Sequence, residues 1–200
     1  QRFSRIPGVA IADQFGAGSI DVKKPVCLCA PAGQQGQGVT DPTTHLEAYI
    51  SKPVGAWRAP VGLHVLNQFG EIVVDTAKPN RFFVPSSADR TVIPAPPGAN
   101  NVDHYQCYRA KLSKGQPKFQ AVLDVPVSDQ FGSRRFDLKA PAQLCVPTDK
   151  RGEGIKNSAG HLLCYKTKLT KATPAQSKPA LVKGIGITNQ FGSGRRDTVK

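Results

Sequence analysis

Asp129-Gln130-Phe131-Gly132 is one of four near-identical tetrapeptides in this chain. The others are Asp13-Gln14-Phe15-Gly16, Asn67-Gln68-Phe69-Gly70 and Asn189-Gln190-Phe191-Gly192, and the spacings are 54, 62 and 60 residues. A second landmark, His-x-x-x-Tyr, reads His45-LEA-Tyr49, His104-YQC-Tyr108 and His161-LLC-Tyr165. A third reads Lys24-PVCLCA-Pro31, Lys78-PNRFFV-Pro85 and Ala140-PAQLCV-Pro147. Landmarks recurring in one fixed order are the signature of tandem repeats. The Asx side chain caps a turn, glycine takes the positive φ that ends it, and the aromatic ring is free to enter a core. Phe15, Phe69, Phe131 and Phe191 are therefore expected as core anchors at strand-ending turns, an architectural role and not a binding one.

The landmarks divide the chain into 1–44, an incomplete unit without His-x-x-x-Tyr; 45–103, a complete unit without cysteine; 104–160, complete with two; and 161–200, incomplete without the proline landmark. Apolar, β-branched runs such as Val122–Val127 and 181–187 alternate as strands do, and Gly and Pro recur too often for long helices. The fold class expected is all-β: tandem sandwich- or barrel-like repeats, two self-contained units flanked by two half-units. Each unit should hold four or five short strands, with loops at 33–44, 88–103 and 149–160.

Composition narrows the function. The chain has 200 residues, 39% of them hydrophobic, and no apolar stretch long enough for a spanning helix. Methionine is absent, so a processed product or fragment is expected, with Gln1 suiting a mature N-terminus. The net charge is +13 and uneven. Residues 1–100 hold nine Lys and Arg against seven acids; residues 101–200 hold eighteen against seven. A basic half fits an anionic polymer, polysaccharide or nucleic acid, or a well-solvated face. Three of the four histidines open units at one position, which suits a structural hydrogen bond better than catalysis. No nucleophile motif, phosphate loop or metal-ligand spacing is present, so no catalytic, cofactor or metal residue is assigned.

The five cysteines fall into landmark slots. Cys107 and Cys145 occupy the two slots of one unit, and the 45–103 unit lacks both together. Joint loss is what a bonded pair predicts, so Cys107–Cys145 is the expected intra-unit disulfide, and a secreted location follows. Cys164 and Cys29 sit in slots whose partners are missing, each being what the other lacks. Cys27 is left without an account.

The pattern His-Leu-x-Cys-Tyr-Lys, Asp-Gln-Phe-Gly and Lys-Pro-x-x-Leu-Cys-Val-Pro, clearest in 104–200, resembles the tandem modules of uncharacterised function in secreted bacterial surface proteins. The resemblance implies an extracellular all-β repeat and carries no activity with it.

Unpaired strand edges recruit another chain, and complementary ends make a heterologous contact that grows as a fibre. The expectation is a structural subunit of an extracellular filament, a homopolymer joined head to tail, with Cys164 of one copy bonded to Cys29 of the next. Closure of both ends into a ring within one chain, and truncation at Lys200, stand beside it. The alternative function is a secreted basic module that binds an anionic polymer through residues 101–200.

Overall fold

All four Gln-Phe pairs form the two-residue tips of β-hairpins, as a computed structural model of residues 3–172 and 174–197 shows. The expectations about Gln1 and Lys200 lie outside the described residues. The hairpins are β1 (Ile6–Asp13) with β2 (Gly16–Cys29), β5 (Leu63–Asn67) with β6 (Gly70–Asp89), β8 (Val122–Asp129) with β9 (Gly132–Lys150), and β11 (Ile185–Asn189) with β12 (Gly192–Arg196). In each, the Asx pairs with the glycine, and its Oδ1 accepts the Phe amide at 2.7–2.8 Å. The glycines hold φ of 132°, 107°, 123° and 122°, a conformation that a side chain resists.

Three further strands carry the histidine landmark: β4 (His45–Val54), β7 (His104–Leu112) and β10 (Leu162–Leu169). They alternate with the long strands in one antiparallel run, β2-β4-β6-β7-β9-β10. The ends of the long strands reach two units further on: β6 pairs with β11, β9 with β1, and β3 (Ala32–Gln34), which continues the line of β2, pairs with β8.

The chain is all-β, without helix among the described residues. Two expectations change. Each complete unit has three strands, because the proline of the third landmark does not end its strand. Pro25 and Pro79 sit at register shifts, and Pro141 faces Tyr165 beside another, so the missing N–H is absorbed in a bulge and β6 and β9 run on for 20 and 19 residues. Nor do 45–103 and 104–160 close on themselves as a string of sandwiches; all the units share one hydrogen-bonded sheet. The cores are shared too. One gathers Val9, Ile20, Tyr49, Phe82 and Val84 with Phe191; a second joins Ala48, Phe83, Tyr105, Cys107 and Cys145; a third joins Val74, Tyr108, Leu144 and Val146 with Phe15. Alternation along strands that pair across units presents apolar faces to neighbours, and a unit alone could not bury them.

Candidate functional site

Each hairpin tip is a socket, and the sockets are served by other units. Phe15 packs edge-on against Tyr108 at 5.3 Å, and the Tyr108 hydroxyl donates to Asp13. Phe69 packs edge-on against Tyr165 at 5.7 Å, and Asn67 donates to that hydroxyl at 2.8 Å. Phe191 meets Tyr49 at 5.4 Å, with the Tyr49 hydroxyl 3.0 Å from Asn189 Nδ2 and donating to Glu47 at 2.6 Å. Burial and the neighbouring carboxylates raise the Tyr49 and Tyr108 hydroxyls far above the ordinary phenol range, so both stay protonated donors. Burial also raises the Asp13 carboxyl, against the opposing pull of the Tyr108 bond.

The tip glutamines reach the landmark histidines. Gln130 donates to His45 Nε2 at 2.9 Å, the Gln14 amide faces His161 Nε2 at 3.0 Å, and Gln190 donates to His104 Nε2. Burial pushes His104 down to about 4, which keeps its ring neutral and Nε2 free to accept.

These contacts have a cyclic order. The strand His45–Tyr49 bridges the third tip to the fourth, His104–Tyr108 bridges the fourth to the first, and His161–Tyr165 bridges the first to the second. Among the described residues no strand makes the bridge from the second tip to the third. Accordingly Gln68 has no histidine and is held by Gln34 instead. Among the described residues the Asp129 side chain accepts only the Phe131 amide, and Phe131 alone of the four anchors has no aromatic partner. A cavity of about 320 Å³ lies beside Phe131, walled by Val26, Leu28, Ile185 and Ile187. Glu47 lines it, and its buried Oε1 is ion-paired at 3.2 Å with the Nε of Arg196, which lines the cavity too.

Strand edges are unpaired at the same seam among the described residues: β10 pairs only with β9, and the Cys27–Cys29 end of β2 only with β4. Both edges carry cysteine. Cys107 and Cys145 sit directly opposite each other on β7 and β9 and are disulfide-bonded. Cys29 and Cys164 are free thiols, and both pack against the cluster that holds this disulfide. Burial pushes the Cys164 thiol up to about 11. Exposed Cys27 is pushed down to about 7 by a hydrogen bond from Cys29, whose own thiol is raised by the same contact. Cys27, which the sequence left unexplained, is thus the seam's most nucleophilic thiol.

Away from the seam, Arg81, Arg109, Lys111, Lys118, Lys139 and Lys166 line a cleft of about 740 Å³ that has no acidic residue in its walls. Lys139 is paired with Asp137 at 3.1 Å. Among the described residues no cluster of His, Cys, Asp and Glu is arranged to hold a metal, and His64 is paired with Glu71 on the surface at 2.7 Å.

The sequence had marked all four phenylalanines and four of these cysteines. It had not paired Gln with His or Tyr with Asx, although a glutamine invariant across four tips was a signal for such a partner. Comparisons with known protein families, curated proteins and solved structures find no match.

Proposed function

We propose that this chain is a structural subunit of an extracellular filament, assembled head to tail by strand complementation at the seam. The observation that carries this reading is the pair of open edges, β10 and the end of β2, each bearing a free cysteine in a slot where the 104–160 unit makes a disulfide. β2 is already paired with β4 in its own chain, so a neighbour meets its other edge and nothing needs to unfold. If β10 of one copy meets β2 of the next as β7 meets β9, Cys164 faces Cys29 as Cys107 faces Cys145. Main-chain hydrogen bonds then satisfy both edges, and a two-electron oxidant or an exchanging disulfide locks the joint.

A non-reducing gel of freshly assembled material tests this. The joint produces a ladder that reduction collapses to a 21.4 kDa band, and Cys164→Ser abolishes it. A single monomer band with Cys29 bonded to Cys164 in the same chain supports the ring instead; a monomer band with both thiols free refutes both.

The six-cation cleft favours a second reading, a module for an anionic polysaccharide. Such binding falls steeply with salt, whereas a disulfide-locked fibre does not. Retention on a sulfated resin at 50 mM but not at 500 mM salt, lost in Arg109→Ala/Lys111→Ala, supports it.

A further inference from the structure

We infer that the cationic cleft is a subsite for a sulfated oligosaccharide, with Phe119 against the face of a sugar ring and the Asn80–Gln143 amide pair reading its hydroxyls. This deepens the polysaccharide reading above and rests on it.

The cleft exists because two strands part. β7 and β9 pair from His104, opposite Thr148, to Arg109, opposite Gln143. Beyond that point β7 continues beside β6, with Leu112 opposite Val74, while β9 continues beside β10, with Ala140 opposite Lys166. They separate at the bulge in β9 that skips Ala142 between Gln143 and Pro141. On the edge that β7 has left, pairing of β9 resumes only at Leu138, opposite Val122 of β8. The gap between is the cleft of about 740 Å³, which falls within the size range of small-ligand sites. Its walls come entirely from residues 80–166.

Alternation sets what those walls carry. Tyr105, Cys107, Arg109 and Lys111 share one face of β7; the first two are buried beside the disulfide, and the last two are exposed where β9 has turned away. Lys139 and Lys166 stand on the opposite wall, and Lys118 on the loop that leaves β7. Among the described residues the side chains of Arg109, Lys118 and Lys166 have no hydrogen-bond or ion-pair partner, and Lys139 is the one cation of the cleft in an ion pair.

The lining is more than charge. Gln143 Nε2 donates to Asn80 Oδ1 at 3.1 Å, a bond that reaches over β7 from β9 to β6. It leaves Asn80 Nδ2 to donate and Gln143 Oε1 to accept, the complement of a sugar hydroxyl. Half-buried Phe119 lines the cleft and is held by the Tyr165 ring at 5.6 Å. A single ring beside an amide pair suits the apolar face and hydroxyl rim of a sugar. A single-stranded nucleic acid wants successive aromatic platforms, and Phe119 is the one aromatic residue in these walls. Charge density selects among acidic sugars. A polyuronate carries at most one anion per ring, whereas a sulfated chain carries more, and walls of six cations without an acid match the denser ligand. Four of the six are lysines, point charges that meet the three terminal oxygens of a sulfate ester from any side; a planar carboxylate is better held by an arginine fork.

The probe is a fully sulfated tetrasaccharide, titrated into the full chain at low salt beside a tetrauronate, a single-stranded oligonucleotide and inorganic tripolyphosphate. The sulfated sugar should bind saturably and tightest of the four. Arg109→Ala and Lys166→Ala should each weaken it about tenfold, and Lys178→Ala, outside the cleft, should leave it unchanged. Phe119→Leu and Gln143→Ala should each weaken it about fivefold and leave tripolyphosphate binding as it was, because neither removes charge. If Phe119→Leu does not fold, NMR contacts between the wild-type Phe119 ring and the sugar protons decide, and their absence overturns the inference. So do absence of saturable binding, tighter binding of the tetrauronate or the oligonucleotide, and indifference to Phe119→Leu and Gln143→Ala. Retention on the sulfated resin together with that indifference leaves the polysaccharide reading standing and removes only this subsite; failure of retention removes both.

Discussion

Acid should weaken this fold through His104, and the size of the effect can be worked from its surroundings. The ring stacks on Phe82 at 5.7 Å and accepts a hydrogen bond from Gln190, so protonation costs both desolvation and that bond. The unfolded chain takes up the proton near pH 6.5, the folded chain only near 4. The folded pKa is depressed, so for this base the stabilisation is complete above pH 6.5 and is lost as pH falls toward 4. At about 1.4 kcal/mol per pH decade, crossing the whole window removes about 3 kcal/mol. The perturbation is His104→Gln, which cannot titrate, compared with wild type in urea unfolding at pH 7.5, 5.5 and 4.5. Wild type should lose stability faster than the variant by up to one proton's worth of slope, while carboxylates other than Glu153, which lies 3.9 Å from the ring, contribute equally to both. Parallel curves would refute the reasoning. If the variant does not fold, NMR titration of the wild-type ring decides, and an apparent pKa near 6.5 refutes it equally.

Four other outcomes are expected. Tyr108→Phe, which removes a buried bond to a carboxylate, should cost about 2 kcal/mol in thermal unfolding, and Tyr165→Phe, half-buried beside a neutral amide, about 1 kcal/mol; equal losses would contradict the socket energetics. Breaking Cys107–Cys145, which are 38 residues apart, should cost about 4 kcal/mol by loop entropy, measured as a lower unfolding midpoint in Cys107→Ala/Cys145→Ala; an unchanged midpoint argues against that contribution. Gly186→Ala places a Cβ 2.0 Å from the Val92 carbonyl oxygen, so the 90–99 segment should lift from β11 and become cleavable by added protease; unchanged cleavage would show that the contact is dispensable. At pH 7.5 iodoacetamide should modify Cys27 well before Cys164, and the reverse order would remove Cys27 as the seam's nucleophile.

Local chemistry was legible in the sequence and relations between units were not. Asx-Gln-Phe-Gly declares a turn by itself, because an Asx cap and a positive-φ glycine act within four residues. The Cys107–Cys145 pairing was readable because presence and absence covaried between two units of one chain. The strand count was overestimated, since Lys-Pro reads as a break where the sheet makes a bulge of it. The partnership of Tyr49 with Asn189 spans 140 residues and that of Gln14 with His161 spans 147, and no periodicity encodes which unit meets which. The vacancy at Phe131 was invisible for the same reason: its motif matches that of Asp13–Gly16 residue for residue, and only the missing ring beside it sets it apart.

The cyclic order of the bridges also bears on how such a chain can change in length. In an open solenoid a repeat can be gained or lost, because each one touches only its neighbours and the stack simply grows or shrinks. Here the first and fourth tips are each clasped by bridging strands from two other units, the second and third by one each, and the ends of the long strands reach units two steps away. Deleting one unit would orphan contacts on opposite sides of the molecule, and inserting one would shift each histidine and tyrosine to the wrong tip. Gain or loss of a whole unit, which an open solenoid tolerates, would here break contacts on several sides at once, whereas changes of side chains and of the loops between strands leave the bridges in place.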